Sequence, residues 1–168
     1  MSIRSEKLLV SAVLLALLGG GFFAVAACNV GRAVDPPPWL LTPLDRRIPF
    51  APSFVWIYLS WYPATAVVLF ADTGRFRVAY LAYALAFAVC AIGYVLMPVV
   101  IDRPPVPYPG PSAAALRYLY AHDPPTNLFP RFHAAIAAIL WRLNAARPRA
   151  SILTLVWTTA VCAACVFT

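Results

Sequence analysis

Seven side chains in this 168-residue sequence that can do chemistry together lie between Arg103 and His133: Arg103, Arg117, His122, Asp123, Asn127, Arg131 and His133. Four of them share one stretch, "DPPTNLFPRFHAA" at Asp123–Ala135, set between apolar runs. Pro130 suits the opening turn of a helix, where its missing amide donor costs nothing, so Arg131, Phe132 and His133 are expected in the first turn. Free amides there, with the positive end of the helix dipole, make an anion site, and a guanidinium beside them binds two phosphate oxygens together. An imidazole in that turn can deliver a proton to a leaving group near neutral pH. Phosphate binding with acid assistance is the chemistry this set fits. A solvated loop with interfacial arginines, and a histidine bonded to a loop carbonyl, account for the same residue types.

The elements that position these residues follow from composition. The chain is 62% hydrophobic and 11% charged, with its apolar residues in runs rather than in alternation, which places it in the membrane class. A helix needs ~20 apolar residues to cross the hydrocarbon. Leu8–Val30, Phe50–Ala71 and Val78–Ile101 meet this without a charge, and Ile152–Thr168 is slightly short. Leu128–Ala146 qualifies when Arg131 and Arg142 lie near its ends and snorkel toward water. The expectation is an all-α, polytopic helical bundle of five spans in a single membrane domain, residues 1–168.

Five spans put the amino terminus and the turns Asp72–Arg77 and Arg142–Arg149 on one side, with Arg4, Lys7, Arg75, Arg77, Arg142, Arg147 and Arg149. The long loops Gly31–Pro49 and Asp102–Asn127 lie opposite, where Arg32, Arg46, Arg47, Arg103 and Arg117 are spread over many more positions. Short cytoplasmic loops are enriched in Lys and Arg, so the amino terminus is expected in the cytoplasm and the long loops outside. Those loops hold "DPPPW" at Asp35–Trp39 and "RPPVPYPGP" at Arg103–Pro111, read as stiff connectors rather than helices.

The formal charge of +7 comes from 13 basic residues with no cluster, so topology explains it better than nucleic-acid binding. Cys28, Cys90, Cys162 and Cys165 all sit in apolar segments, which argues against a disulfide framework, and the Cys162–Cys165 pair reads as small residues in a helix interface. "VAAC" at Val25–Cys28 has the look of a lipoprotein cleavage site, but its apolar run is long and further spans follow, so the segment reads as a retained span. No charge lies in the three clear spans and no inverted repeat is visible, which argues against a transport pathway.

With these residues in view, the sequence resembles the type 2 phosphatidic acid phosphatase superfamily, in its bacterial branch similar to inositol phosphorylceramide synthases. "LDRRIPFAPSFVWIYLSWYP" at Leu44–Pro63 resembles that branch's second span and its lead-in, "MPVVIDRPPVP" at Met97–Pro107 its first motif, and "LYAHDPPTNLFPRFHAA" at Leu119–Ala135 its second. The resemblance implies a six-helix core in a bacterial cell membrane and action on a lipid phosphate ester at the outer face. It assigns phosphate binding to Arg103 and protonation of the leaving alcohol to His133, with Asp123 and Asn127 in support. It also implies a phosphohistidine route without metal or cofactor, in which fixed positive groups stabilise the phosphoryl charge.

Two departures stand out. The second motif usually reads F-P-S-x-H, whereas position 131 is arginine, a larger phosphate ligand than serine. The sequence stops at Thr168, where "AACVFT" resembles the segment just before the motif that supplies the nucleophilic histidine and its aspartate. His122 does not sit where the family places that nucleophile. The expectations are therefore a lipid phosphatase or phosphotransferase that is inactive alone, or a non-catalytic membrane protein binding phospholipid headgroups. In the second case the last segment offers an open face to another copy or a partner helix.

Overall fold

Leucine and alanine dominate the first apolar run, and it forms α1 (Ile3–Asn29) in the computed structural model, which describes residues 3–40, 43, 47–66, 73–123, 125–127 and 129–167. A turn through Gly31, at φ 75, ends α1, a left-handed backbone that glycine adopts without strain. The third run forms α4 (Thr73–Leu96), which stops before Pro98 because proline disfavours helical backbone at the residue preceding it. The last run forms α7 (Pro148–Phe167), with proline at its first position. These three helices are long and apolar enough to cross a membrane.

The second expected span is interrupted. A 3₁₀ turn (Pro52–Phe54) leads into α2 (Val55–Leu59) and α3 (Trp61–Ala66), joined at Ser60. Pro63 brings no amide donor to α3, and the Ser60 hydroxyl donates back to the Ile57 carbonyl, so the helical ladder is weakened where two pieces meet. Residues 67–71 of that expected span lie outside the described residues, as do Arg46, Leu128 and Thr168. The fourth expected span is narrower than Leu128–Ala146: α6 covers Phe132–Leu143, and its 12 residues rise only ~18 Å. The loop Asp102–Asn127 holds a helix that the proline content had hidden. Residues 101–109 have no regular structure, but Gly110, at φ 119, and Pro111 at the first helical position start α5 (Pro111–His122).

Helix directions follow from the contacts. Glu6 pairs with Arg77 at 3.8 Å, Phe22 meets the ring of Tyr94, and the Asn29 amide donates to the Tyr94 carbonyl, so α1 and α4 run parallel. Pro130 faces Gly93 and Phe132 faces Phe87, so α6 runs antiparallel to α4. α7 turns back against α6, where the Thr158 hydroxyl donates to the Ala137 carbonyl.

The bundle is apolar outside and aromatic within. On α4, Phe76, Tyr80, Tyr83 and Tyr94 are buried, while Val78, Leu81, Leu85 and Val89 are exposed. A helix in water reverses this, and aliphatic faces of such extent fit a hydrocarbon solvent.

Helix packing predicts one sensitive position. A Cβ on Gly93 would overlap Cδ of Pro130, whose ring is fixed in the backbone, whereas a Cβ on Gly21 meets only the tip of the Phe87 side chain. Gly93→Ala is expected to cost about 1–3 kcal/mol and Gly21→Ala less. Thermal unfolding of the two variants in detergent checks the order.

Candidate functional site

Two buried asparagines position the chemistry-bearing stretch. Asn127 donates from its amide to the Phe22 carbonyl of α1 at 2.9 Å, and its own side-chain oxygen accepts from the Asn29 amide at 3.4 Å. Asn29 donates in turn to the Tyr94 carbonyl of α4 at 3.0 Å. Single-residue parallel bridges from Val99 to Val34 and to Asn127 stitch the adjoining loops together. Residues 125–127 and 129–131 thus lie across the carboxyl ends of α1 and α4, and α6 begins from there.

Arg131 is the residue before α6, with extended backbone at φ −76 and ψ 103, rather than part of its first turn. Phe132 and His133 are the first two helical residues. The proline expected to open the helix lies two residues ahead of it, because its ring occupies the space over Gly93.

The arginines divide into satisfied and free. Arg103 donates from Nη1 to the carbonyls of Tyr120 at 3.1 Å and Asp123 at 2.7 Å, and from Nη2 to the Asp123 carboxylate at 3.0 Å. Its guanidinium also lies 4.8 Å from the Tyr120 ring centroid. It caps the carboxyl end of α5, where a cation is favoured. The guanidinium to which the resemblance gives a substrate phosphate is thus held by the chain itself. Arg117 likewise donates to the carbonyls of Val106 and Tyr108, and the His122 Nδ1 pairs with the Tyr118 carbonyl while its ring stacks on Tyr118. Arg131 is exposed, and its guanidinium makes no hydrogen bond or ion pair among the described residues.

Two cavities meet at this end of the bundle. One, about 510 Å³, is lined by Arg131, Arg103, Asp123, Tyr58 and Cys165. The other, about 600 Å³, is lined by His133 with Trp61, Tyr62 and Tyr83. Leu119 and Asp123 belong to both walls. His133 is boxed by the rings of Trp61 and Tyr58, at 4.5 and 4.6 Å between centroids, and its Nε2 has no hydrogen-bond partner. The five site residues read from the sequence therefore gather at one end, with Arg131 and His133 on different cavities. The aromatic box was not anticipated; its sequence signal is the density of rings in "VWIYLSWY" at Val55–Tyr62.

Burial pushes the Asp123 carboxyl above its ordinary range, against the opposing pull of the Arg103 and then the Arg131 guanidinium.

Comparison of the chain with protein-family models, curated proteins and solved structures gave no match.

A carboxyl whose folded pKa lies above its unfolded value adds stability that is complete below the unfolded value of 3.8 and is lost as pH rises through the folded one. Asp123→Asn is expected to remove this contribution and alter the slope of stability against pH as pH rises above 3.8. Arg103→Gln, which strands three acceptors, is expected to cost about 1–3 kcal/mol at neutral pH. Thermal unfolding across that pH window tests both, and a pH profile of Asp123→Asn identical to wild type contradicts the first.

Proposed function

We propose that the protein is a polytopic protein of the bacterial cell membrane that binds the phosphate of a lipid headgroup at the end of the bundle formed by residues 97–131. The chain crosses the bilayer five times, through α1, the broken α2–α3 segment, α4, α6 and α7. Parallel α1 and α4 require a return between them, which supports this path. The basic residues of the short turns put that end in the cytoplasm and the phosphate end outside.

The single observation that carries the binding reading is Arg131: an unpaired, exposed guanidinium on a cavity of about 510 Å³, beside an arginine already neutralised by Asp123. A guanidinium without a partner retains its capacity for a bidentate contact to phosphate oxygens. Membrane lipids supply that group on an apolar anchor.

A second reading is phosphoryl chemistry on the same lipid, as the resemblance to the lipid phosphatase superfamily implies. The unpaired His133 Nε2 favours it, because an acid for a leaving alcohol needs a ring nitrogen not committed to the protein.

In nanodiscs, the protein is expected to bind a lipid phosphomonoester more tightly than the corresponding uncharged lipid, and Arg131→Ala to weaken that binding about tenfold, the effect of ~1.4 kcal/mol from one charged hydrogen-bonding contact. Equal affinity of wild type and Arg131→Ala for the phosphomonoester would sink the binding reading. Phosphate release from the same lipid that disappears in His133→Ala would establish the second reading, and no release would remove it for this chain.

A further inference from the structure

The larger cavity holds a pattern that phosphate binding does not use. Its walls are apolar side chains of α1, α4 and α6, among them Leu14, Leu18 and Ile136. Three polar atoms on its lining residues have no hydrogen-bond partner among the described residues: Nε1 of Trp61, the hydroxyl of Tyr83 and Nε2 of His133. Tyr83 is only 3% exposed. Leaving a buried donor unpaired costs about 1–3 kcal/mol, and native structures tolerate few such groups. Three on one cavity call for a group that satisfies them.

The chemistry of that group follows from the donors. Indole Nε1 only donates, and a phenol hydroxyl donates most readily to a carbonyl, so the missing partner is an acceptor oxygen. The mainly apolar walls require that oxygen to sit on a hydrocarbon chain, with the charged lining residue Asp123 on the side shared with the other cavity. An acyl chain attached through an ester or amide carbonyl meets both conditions. A polyprenyl chain has no acceptor, and an ether-linked chain offers a weaker one.

We infer that Tyr83 and Trp61 are specificity-determining residues that bind the carbonyl of an acyl-linked lipid in the cavity between α1, α3, α4 and α6. The inference rests on the lipid reading above for the placement of the headgroup, since Asp123 and Leu119 wall both cavities and bring the two binding regions together. A lipid seated this way puts its phosphate at Arg131 and its first carbonyl beneath the His133 box.

The experiment compares lipids that differ only in the linkage. Binding of ester-linked phosphatidic acid and of its ether-linked dialkyl counterpart is measured on the full chain in detergent, together with the matching diacylglycerol and dialkylglycerol, which carry no phosphate. Wild type is expected to prefer the ester in both pairs by about tenfold, and Tyr83→Phe and Trp61→Phe to lower each ratio toward one while leaving ether binding unchanged. Because each ratio is taken within one variant, a loss of folded protein does not imitate the result. An ester-to-ether ratio near one in wild type, or a ratio that Tyr83→Phe leaves intact, overturns the inference. An ester preference in the uncharged pair, with no gain from phosphate and no effect of Arg131→Ala, keeps this inference and overturns the headgroup reading.

Discussion

Asn29 and Asn127 form a hydrogen-bonded pair at the carboxyl ends of α1 and α4, with their amide groups shared between the carbonyls of Tyr94 and Phe22. Hydrocarbon is as apolar as leucine, so burying aliphatic surface between helices gains little in a bilayer, and close packing and interhelical hydrogen bonds must set the register. Asn29 is fully buried and Asn127 nearly so. Sliding α1 along α4 by one turn would strip both amides of their partners in a place where water cannot replace them. This pair also fixes the route of the chain above the bundle, because Asn127 belongs to the segment that starts α6. The location of Arg131 and His133 depends on it.

Charge at that end is organised by which groups find internal partners. Arg103 and Asp123 neutralise each other, and Arg103 also satisfies two carbonyls at the end of α5. A half-buried pair of this kind gains from hydrogen bonds that complete the geometry, since the attraction between charges alone is offset by desolvation. Arg117 is spent in the same way on the carbonyls of the proline-rich segment. With these cations committed, Arg131 is the guanidinium on the smaller cavity that has no hydrogen-bond or ion-pair partner among the described residues.

The broad architecture was legible because long uninterrupted apolar runs form helices of the length needed to cross a membrane. Runs of leucine, valine and alanine located α1, α4 and α7 but not their ends: the expected Val78–Ile101 runs through Pro98, whereas α4 covers Thr73–Leu96, and α1 and α7 each begin several residues before the expected run. The broken path of α2 and α3 was harder to read, since Pro63 and Ser60 weaken a helix without forbidding it and only contacts with α7 decide where the chain bends. The helix α5 was hidden by averaging a proline-dense stretch with the proline-free residues after Pro111. Clustering of the site residues was visible in their spacing. Their division was not: whether an arginine is clamped or free depends on carbonyls that come from elsewhere in the chain, and no local pattern records them.

The aromatic interior extends the same physics. Tyrosine and tryptophan are the largest side chains that bring a hydrogen-bonding atom into an apolar bundle, with two rotatable side-chain bonds and therefore little entropy to lose. Where such an atom meets a protein partner it fixes helix contacts, as the Trp157 indole does by donating to the Ser60 hydroxyl at 2.9 Å. Where it has none, its cost remains unless something outside the chain supplies the acceptor. Of the six buried side-chain atoms without a partner among the described residues, those of Trp61, Tyr83 and His133 share one cavity, while Asn29 Oδ1, Thr126 Oγ1 and Trp141 Nε1 lie elsewhere.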